Sequence, residues 1–407
     1  MPEVKPSEVE STASIKVIGV GGAGGSAVNR MREAGLTGVD LVAMNTDAQA
    51  LHNSKADIKV HLGHDTTNGL GAGADPSVGE KAADESREEI KNALAGADMA
   101  FITLGAGGGT GSGAGYIVAE EARKQDILTV GVVTKPFSFE GQKRKANADW
   151  GIERLARNVD ALITIPNDRL LQTIDQRTPI LEAFKIADDV LRQGVQGISE
   201  LITEHGLVNL DFADVRKIMK DAGSALMGIG RASGENRAVI AAQQAIESPL
   251  IEVSIDGARG VLLSVVGGYD LSMSEISEAA ELITASISPD ANIIWGAAIR
   301  PELEDEVIVT VVATGFDSQY YSDDPRAMEG YAPEPVVAEP TPAPSQVAAD
   351  PVRSMPEEEP KLESESQASA EFSSPNTVNM WDQIRNDNDD DDSDIPAILR
   401  RRKKNKD

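Results

Sequence analysis

Short apolar runs alternate with longer amphipathic stretches through the first 165 residues of this chain. The short runs have the length and aliphatic content of buried strands, whereas the longer stretches carry apolar side chains at helical spacing. Predicted strands cover residues 15–20, 39–44, 58–62, 99–104, 127–134 and 161–165, and predicted helices cover residues 27–32, 77–94, 115–124 and 142–158. This alternation predicts an α/β fold with a mainly parallel sheet between two layers of helices.

A long helix is predicted at residues 179–203, because Pro179 suits an N-terminal helical position and apolar side chains then recur at helical spacing. After it, helices at 212–219, 235–247 and 274–285 alternate with strands at 260–266, 292–299 and 307–313. The pattern predicts a second, smaller α/β unit.

Composition changes sharply after Phe316. Residues 317–407 hold 11 of the 20 Pro but one of the 37 Gly, and they are rich in Asp, Glu and Ser. Such a segment cannot bury enough apolar surface to offset the entropy of ordering it, so we predict a disordered tail. At its end, the apolar Ile395, Ile398 and Leu399 precede a basic cluster. This favours a short recognition peptide, with a solvated basic terminus as the alternative.

Charge and composition exclude several classes of function. With 38 Lys plus Arg against 66 Asp plus Glu the net charge is −28, which argues against broad binding to nucleic acid. Cysteine is absent, which excludes disulfides and thiolate zinc sites, and the four His show no metal-ligand spacing. There is no run of about 18 apolar residues and no signal peptide, so we expect a soluble cytoplasmic protein.

The first glycine-rich loop, residues 19–26, follows the first predicted strand. Gly19, Gly21 and Gly24 have the spacing of a turn that brings a phosphate to a helix N-terminus. The same spacing fits a dinucleotide site, in which Asp40 or Asp47, about 20 residues further on, would hold a ribose. From this loop alone, a nicotinamide-dependent oxidoreductase is an open alternative.

A second glycine-rich loop, residues 105–113, lies between a predicted strand and a predicted helix. Its backbone amides suit an anion, and Thr110 and Ser112 add hydroxyl groups. Two phosphate cradles on neighbouring strands favour a triphosphate, although a flexible turn without a ligand is the alternative. The Gly-Lys-Ser or Gly-Lys-Thr of a Walker A loop is absent, which excludes the usual lysine-assisted cradle.

Several stretches of the sequence resemble the tubulin and FtsZ superfamily, and bacterial FtsZ in particular. They are residues 107–113 (GGGTGSG), 45–51 (NTDAQAL), 134–137 (TKPF), 139–141 (FEG), 165–168 (IPND) and 209–214 (NLDFAD). The resemblance spans residues 15–316 and includes the terminal peptide. It implies a GTPase that polymerises head to tail into filaments, which form the cytokinetic ring at the mid-cell division site.

The resemblance also implies a domain organisation. A parallel-sheet GTP-binding domain would occupy residues 14–178, a long central helix residues 179–203, and a smaller α/β domain with a GTPase-activating role residues 204–316. The other segments would be a disordered N-terminus at 1–13, a disordered linker at 317–393 and a partner-binding peptide at 394–407. In this family such a peptide binds membrane anchors and division regulators.

The same resemblance assigns the contacts to GTP or GDP. The residues of the two loops that match the family's phosphate and guanosine contacts are Gly22, Ala23, Gly24, Gly25, Ser26, Gly109, Thr110 and Gly111. Glu140, Arg144 and Asn167 match ribose and phosphate contacts. Phe184 would stack on the purine, and Asp188 would accept hydrogen bonds from guanine. On spacing alone, a core aromatic and a solvated helix charge explain these last two residues as well.

Hydrolysis would use residues from the next subunit of the filament, according to the resemblance. Asn209, Asp211 and Asp214 match the loop that orders the attacking water, and Mg²⁺ would neutralise the phosphates. Read without the family, the same residues form a helix N-cap, and both readings can hold together. A filament scaffold that binds GTP without hydrolysis is a further alternative, which these three residues argue against.

Overall fold

The computed structural model describes residues 13–170, 178–203, 208, 211–248 and 255–316. Residues 1–12 of the predicted N-terminal segment, the whole linker and the terminal peptide lie outside the described residues, as does Asn209. Within the described part of the chain, no helix combines the length and apolar character needed to cross a membrane.

Six parallel strands form the first part of the sheet, in the order β3-β2-β1-β4-β5-β6. They are β1 (Ile15–Val20), β2 (Asp40–Asn45), β3 (Ile58–His61), β4 (Met99–Gly105), β5 (Leu128–Lys135) and β6 (Ala161–Pro166). The helices are α1 (Gly21–Glu33), α2 (Ala48–His52), α3 (His64–Thr67), α4 (Pro76–Glu85), α5 (Arg87–Leu94), α6 (Gly109–Lys124), α7 (Gln142–Ala156) and α8 (Asn167–Leu170), with a 3₁₀ turn at Ser138–Glu140.

Both faces of this sheet are buried. Val17 on β1 belongs to the apolar cluster on one face, and its neighbour Ile18 belongs to the cluster on the other. Because successive side chains of a strand point to opposite faces, a strand buried on both sides is mostly apolar, as β1 is apart from Lys16, whose Nζ donates to the Ala93 and Ala95 carbonyl oxygens. The long helix α9 (Ile180–Thr203) covers the first face together with α1.

The second part of the chain extends the same sheet. Its elements are α10 (Phe212–Met219), β7 (Gly223–Ser233), α11 (Arg237–Ile246), β8 (Gly260–Gly267), α12 (Met273–Thr284), β9 (Asn292–Ile299) and β10 (Glu306–Thr314). β7 pairs with the start of β6, and the order continues as β7-β10-β8-β9. β10 runs antiparallel to both of its neighbours, so this part of the sheet is mixed.

The predicted α/β class and the parallel first part of the sheet are confirmed, but three predicted helices were wrong in extent and one strand was missed. The helix predicted at 77–94 is two helices, which break at Ser86, where the hydroxyl accepts a hydrogen bond from the Gly63 amide at 2.9 Å. The helices predicted to begin at residues 27 and 115 begin at Gly21 and Gly109, inside the glycine loops. Strand β7 was not predicted, since its glycines and small residues interrupt the apolar pattern.

Candidate functional site

Two glycine loops leave the sheet side by side. β1 and β4 are paired in parallel, and Val20 at the end of β1 lies opposite Leu104. α1 and α6 begin after these strands, and neither helix has a side-chain cap or an acidic residue in its first turn. Two uncapped helix N-termini at the carboxyl edge of a parallel sheet present free N–H groups and partial positive charge. The arrangement suits an anion such as a phosphate chain.

The glycines of these loops serve two purposes. A Cβ on Gly24 would lie 2.4 Å from the Thr103 carbonyl oxygen, and one on Gly21, whose φ is +73°, would lie 2.9 Å from the Gly111 nitrogen. These glycines let the loop pack against its neighbours. A Cβ on Gly22 or Gly25 would meet nothing within 4 Å. Such positions leave their backbone open to a ligand.

A cleft of about 210 Å³ lies beside the first loop. It is lined by Gly21, Gly22, Gly25, Ser26, Asn29, Ala43, Met44, Asn45, Ala50, Leu51 and Ser54. Of the residues assigned from the resemblance, Gly22, Gly25 and Ser26 line this cleft. The first loop therefore borders an open cleft that is large enough to hold part of a nucleotide.

A third glycine loop, residues 69–75, borders the same place and was missed by the sequence analysis. The Gly71 amide donates to the Thr46 carbonyl oxygen at 3.2 Å, and the Thr46 and Thr110 hydroxyls meet at 2.7 Å. A Cβ on Gly109 would lie 2.8 Å from the Ala72 Cβ, so this loop packs directly on the start of α6. The signal was present, since glycine occupies alternate positions from 69 to 73.

Glu140, Arg144 and Asn167 follow β5 and β6, whose ends lie next to those of β1 and β4. Glu140 accepts hydrogen bonds from the Phe137 amide at 2.9 Å and from the Arg144 guanidinium at 2.5 Å. Asn167 is buried, and its Oδ1 has no hydrogen-bond partner within the described residues. Because a buried acceptor without a partner is costly, an external donor such as a hydroxyl group would satisfy it.

Phe184 and Asp188 lie one turn apart on α9. The ring of Phe184 is 40% exposed, and its edge meets Phe137 with 5.5 Å between the ring centroids. Asp188 accepts a hydrogen bond from Arg30 Nε of α1 at 3.4 Å. Burial raises the pKa of Asp188, and the hydrogen bond from Arg30 opposes that shift. Phe184 is therefore not a core aromatic, and Asp188 is not a solvated charge.

Asp211 and Asp214 lie at the other edge of the sheet. Asp211 is the N-cap of α10 and accepts from the Ala213 amide at 3.3 Å. Arg216 of the same helix pairs with Asp126 at 2.7 Å, and Asp126 precedes the amino end of β5. β5 is eight residues, about 25 Å, long, and the glycine loops lie beyond its carboxyl end. The two carboxylates are exposed and remote from the glycine loops of their own chain.

The structure thus brings together the glycine loops, Glu140, Arg144 and Asn167 at the carboxyl edge, with Phe184 and Asp188 on α9 packed against it. A phosphate chain, a sugar and a base would each find a chemically suited surface. Asp211 and Asp214 do not join this group. Within the described part of the chain, no cluster of three His, Asp or Glu side chains could hold a metal ion.

Comparison with known proteins agrees with this geometry. The model for the Tubulin/FtsZ family, GTPase domain, matches residues 14–175, and the model for the FtsZ family, C-terminal domain, matches residues 223–317. The chain is 47% identical to a structure described as an empty FtsZ dimer from M. jannaschii, with a TM-score of 0.73; the match covers 76% of this chain and 90% of that one.

CetZ2 from Haloferax volcanii, solved as a GTPγS-bound protofilament, is 22% identical with a TM-score of 0.65, covering 78% of this chain and 98% of that one. At that identity the likeness shows the fold alone. The family models and the M. jannaschii structure go further, and together they show that this chain, with its GTP-binding GTPase domain, belongs to the FtsZ family.

Proposed function

We propose that the chain polymerises head to tail and hydrolyses GTP in a site that is completed by the adjacent subunit. The observation that carries this proposal is the separation of the two halves of the site. The glycine loops lie at the carboxyl edge of the sheet, and the exposed Asp211 and Asp214 lie near its amino edge. A single subunit cannot bring them together, but stacking one subunit on the next can. Such a heterologous contact repeats without closing and yields filaments.

The phosphate chain occupies the two bare helix N-termini. The residues that hold it are Gly22, Ala23, Gly24, Gly25 and Ser26 of the first loop and Gly109, Thr110 and Gly111 of the second. Backbone amides donate to the phosphate oxygens, and the helix dipoles stabilise their charge. The third loop, which packs on Gly109 and bonds to the Thr46 carbonyl oxygen, forms a further wall of the cradle.

The nucleoside lies toward α9. Glu140 accepts from a ribose hydroxyl, and the buried Asn167 Oδ1 gains the donor that it lacks. Arg144 then turns from Glu140 toward the phosphates, where a guanidinium is suited to bind. The exposed ring of Phe184 stacks on the purine, and Asp188 accepts from the N1–H and exocyclic amine of guanine.

Hydrolysis requires a positioned water. The carboxylates of Asp211 and Asp214 from the next subunit accept hydrogen bonds from that water, and Asn209, which lies outside the described residues, helps to fix its position. Mg²⁺, when bound, offsets negative charge on the phosphates. The chain offers it no carboxylate cage among the described residues, so phosphate oxygens and water, with hydroxyls such as that of Thr110, are its suitable ligands.

Exposed apolar side chains at both ends support the stacking contact. Phe139 is 61% exposed beside Glu140, at the nucleotide end. Val208, three positions before Asp211, pairs with Ala297 of β9, whose neighbour on β8 is Val265, so Val208 lies near the end of β8. Tyr269, which follows β8, is 80% exposed there. Apolar groups at both ends would be buried when subunits join.

The family resemblance supplies the cellular role that we propose. Filaments of this chain would form the cytokinetic ring at the mid-cell division site, and GTP hydrolysis would drive their turnover. The terminal peptide 394–407, outside the described residues, would bind membrane anchors and division regulators through its apolar and basic side chains.

The test is phosphate release measured against protein concentration, with Mg²⁺, light scattering in parallel and ATP as the control nucleotide. We expect the rate per subunit to rise above a threshold concentration, together with scattering, for GTP and not for ATP. A rate per subunit that is independent of concentration would contradict a site shared between subunits. Scattering without phosphate release would identify a scaffold that binds GTP without hydrolysing it.

A further inference from the structure

We propose that Arg30 is a positioning residue that determines base specificity, because it holds Asp188 as a carboxylate aimed at guanine. The inference rests on the proposed function, in which Asp188 receives the base. It adds a residue from α1 that does not itself need to touch the nucleotide.

The geometry places Arg30 behind the base site. α1 packs against α9, and Arg30 Nε donates to Asp188 Oδ2 at 3.4 Å. The exposed fractions of the two side chains are 28% and 21%, so the pair is largely shielded from solvent. Asp188 lies one turn beyond Phe184, on the helix face that would meet a stacked purine. Arg30 thus occupies one acceptor site of Oδ2, which leaves Oδ1 and the second lone pair of Oδ2 to a ligand.

The neighbouring charges are engaged with one another. On α1, Glu33 pairs with Lys55 at 2.7 Å and also feels the charges of Arg30 and Lys185. On α9, Asp189 pairs with Arg192 at 2.6 Å and also feels the charge of Arg30. Of these three carboxylates, Asp188 is the one to which Arg30 donates its hydrogen bond. Burial raises the pKa of that carboxyl, and the Arg30 hydrogen bond and charge lower it, so removal of Arg30 leaves burial unopposed.

The protonation state of this carboxyl decides which base it recognises. An ionised carboxylate offers two acceptors, which match the two donors on guanine, N1–H and the exocyclic amine. A protonated carboxyl offers one donor and one acceptor, and it no longer selects two donors. Inosine lacks the exocyclic amine, so a comparison of GTP with ITP measures this contact. Arg30 should thus affect GTP more than ITP.

The experiment is a double-mutant cycle with Arg30→Met, Asp188→Asn and the pair, read out by equilibrium binding of GTP, ITP and ATP to the full chain. We expect Arg30→Met to weaken GTP binding by about tenfold or more, as for loss of a charged hydrogen-bond network, and ITP binding by less. In the Asp188→Asn background Arg30→Met should have no further effect. Arg30→Lys should recover most of the preference for GTP over ITP.

Arg32→Met is the matched control, since it removes the same charge from the same helix but has Asp57 as its partner. It should leave the ratio of GTP to ITP affinity unchanged. In Arg30→Met, GTP affinity should also begin to fall at a higher pH than in the wild type, because the carboxyl takes up a proton more readily.

The outcomes separate the two proposals. Equal loss of GTP and ITP binding in Arg30→Met, or an equal effect of Arg30→Met with and without Asp188, would overturn the role of Arg30 proposed above. If the wild-type chain does not prefer GTP to ATP, or if Asp188→Asn leaves binding unchanged, the base contact of the proposed function fails instead.

Discussion

Gly22 and Gly24 lie two positions apart in the sequence, but replacement by alanine should have different effects. It should lower stability at Gly24 and GTP affinity at Gly22. Gly24→Ala places a Cβ 2.4 Å from the Thr103 carbonyl oxygen, and backbone must move to admit it. We expect a loss of about 1–3 kcal/mol in the free energy of unfolding. Gly22→Ala meets nothing within 4 Å, so stability should change by less than about 1 kcal/mol.

The Cβ of Gly22→Ala instead enters the space above the backbone amides of the first loop. We expect GTP affinity to fall while the folded state persists, measured by nucleotide titration beside thermal unfolding. Gly24→Ala should instead lower stability more than it lowers GTP affinity. Normal GTP binding in Gly22→Ala would mean that the phosphate chain does not approach this backbone.

The sequence predicted the two glycine loops. It could not show which glycines pack against neighbouring residues and which leave space for a ligand. Spacing identifies a loop that approaches a phosphate, whereas the division between Gly22 and Gly24 depends on Thr103, which belongs to another strand. The pairing of Arg30 with Asp188 was likewise beyond the sequence, because 158 positions separate the two residues. Contacts of this kind follow from the packing of α1 on α9 and from no local pattern.

At the scale of elements, apolar runs and helical spacing predicted several elements with their bounds. β1, β9 and α10 have the predicted bounds, since continuous apolar runs or helical spacing mark them clearly. The glycine-rich starts of α1 and α6 were missed, because glycine is a poor helix former and the helix is held there by packing around the loops. The helix break at Ser86 depends on a hydrogen bond to Gly63, which no local signal encodes.

Variants of Asp211, at the start of α10, can separate its two interpretations, a helix N-cap and a catalytic carboxylate. Asp211 caps the helix through the Ala213 amide, and asparagine is as good an N-cap as aspartate. Asp211→Asn should therefore keep stability, while Asp211→Ala should cost about 1 kcal/mol in unfolding by urea. Both variants lose the carboxylate, so both should bind GTP normally and lose turnover. Full turnover in Asp211→Asn would reduce this residue to a helix cap.

At the scale of the whole molecule, we expect stability to fall in acid. Hydrogen bonds from Arg237 lower the pKa of Glu275, and a hydrogen bond from Lys124 lowers that of Glu120. A carboxyl whose pKa is lowered by folding contributes stability above its unfolded value, 4.5 for these two, and that contribution is lost as the pH falls through the folded pKa. Asp188, whose pKa is raised, has the opposite effect.

Urea unfolding between pH 7 and pH 3 measures this dependence. The free energy of unfolding should decrease as the pH falls below about 4.5, and Glu275→Gln should show a shallower decrease than the wild type. A free energy of unfolding that increases in acid would mean that buried carboxyls like Asp188 dominate. The variant Glu88→Gln is a suitable control, because its pair with Lys91 has a separation of 3.8 Å and lies on the surface.

Because the glycine loops are separated from Asp211, two variants that are each inactive should regain GTPase activity when they are mixed. Gly22→Ala has a defective nucleotide site but an intact Asp211, and Asp211→Asn has the reverse. Each variant alone should be inactive. In an equal mixture, an Asp211→Asn subunit binds GTP and a Gly22→Ala subunit supplies the carboxylate, so about a quarter of randomly formed contacts contain both intact halves.

We therefore expect the mixture to recover up to about a quarter of wild-type phosphate release, with a dependence on total protein concentration. A mixture of Gly22→Ala with Asp188→Asn is the control, because both lesions lie in the same half and every contact remains defective. Recovery in the first mixture and not in the second requires two subunits at each site. Absence of recovery, with each variant folded, would place Asp211 and the glycine loops in one subunit, against the distance between the two edges of the sheet.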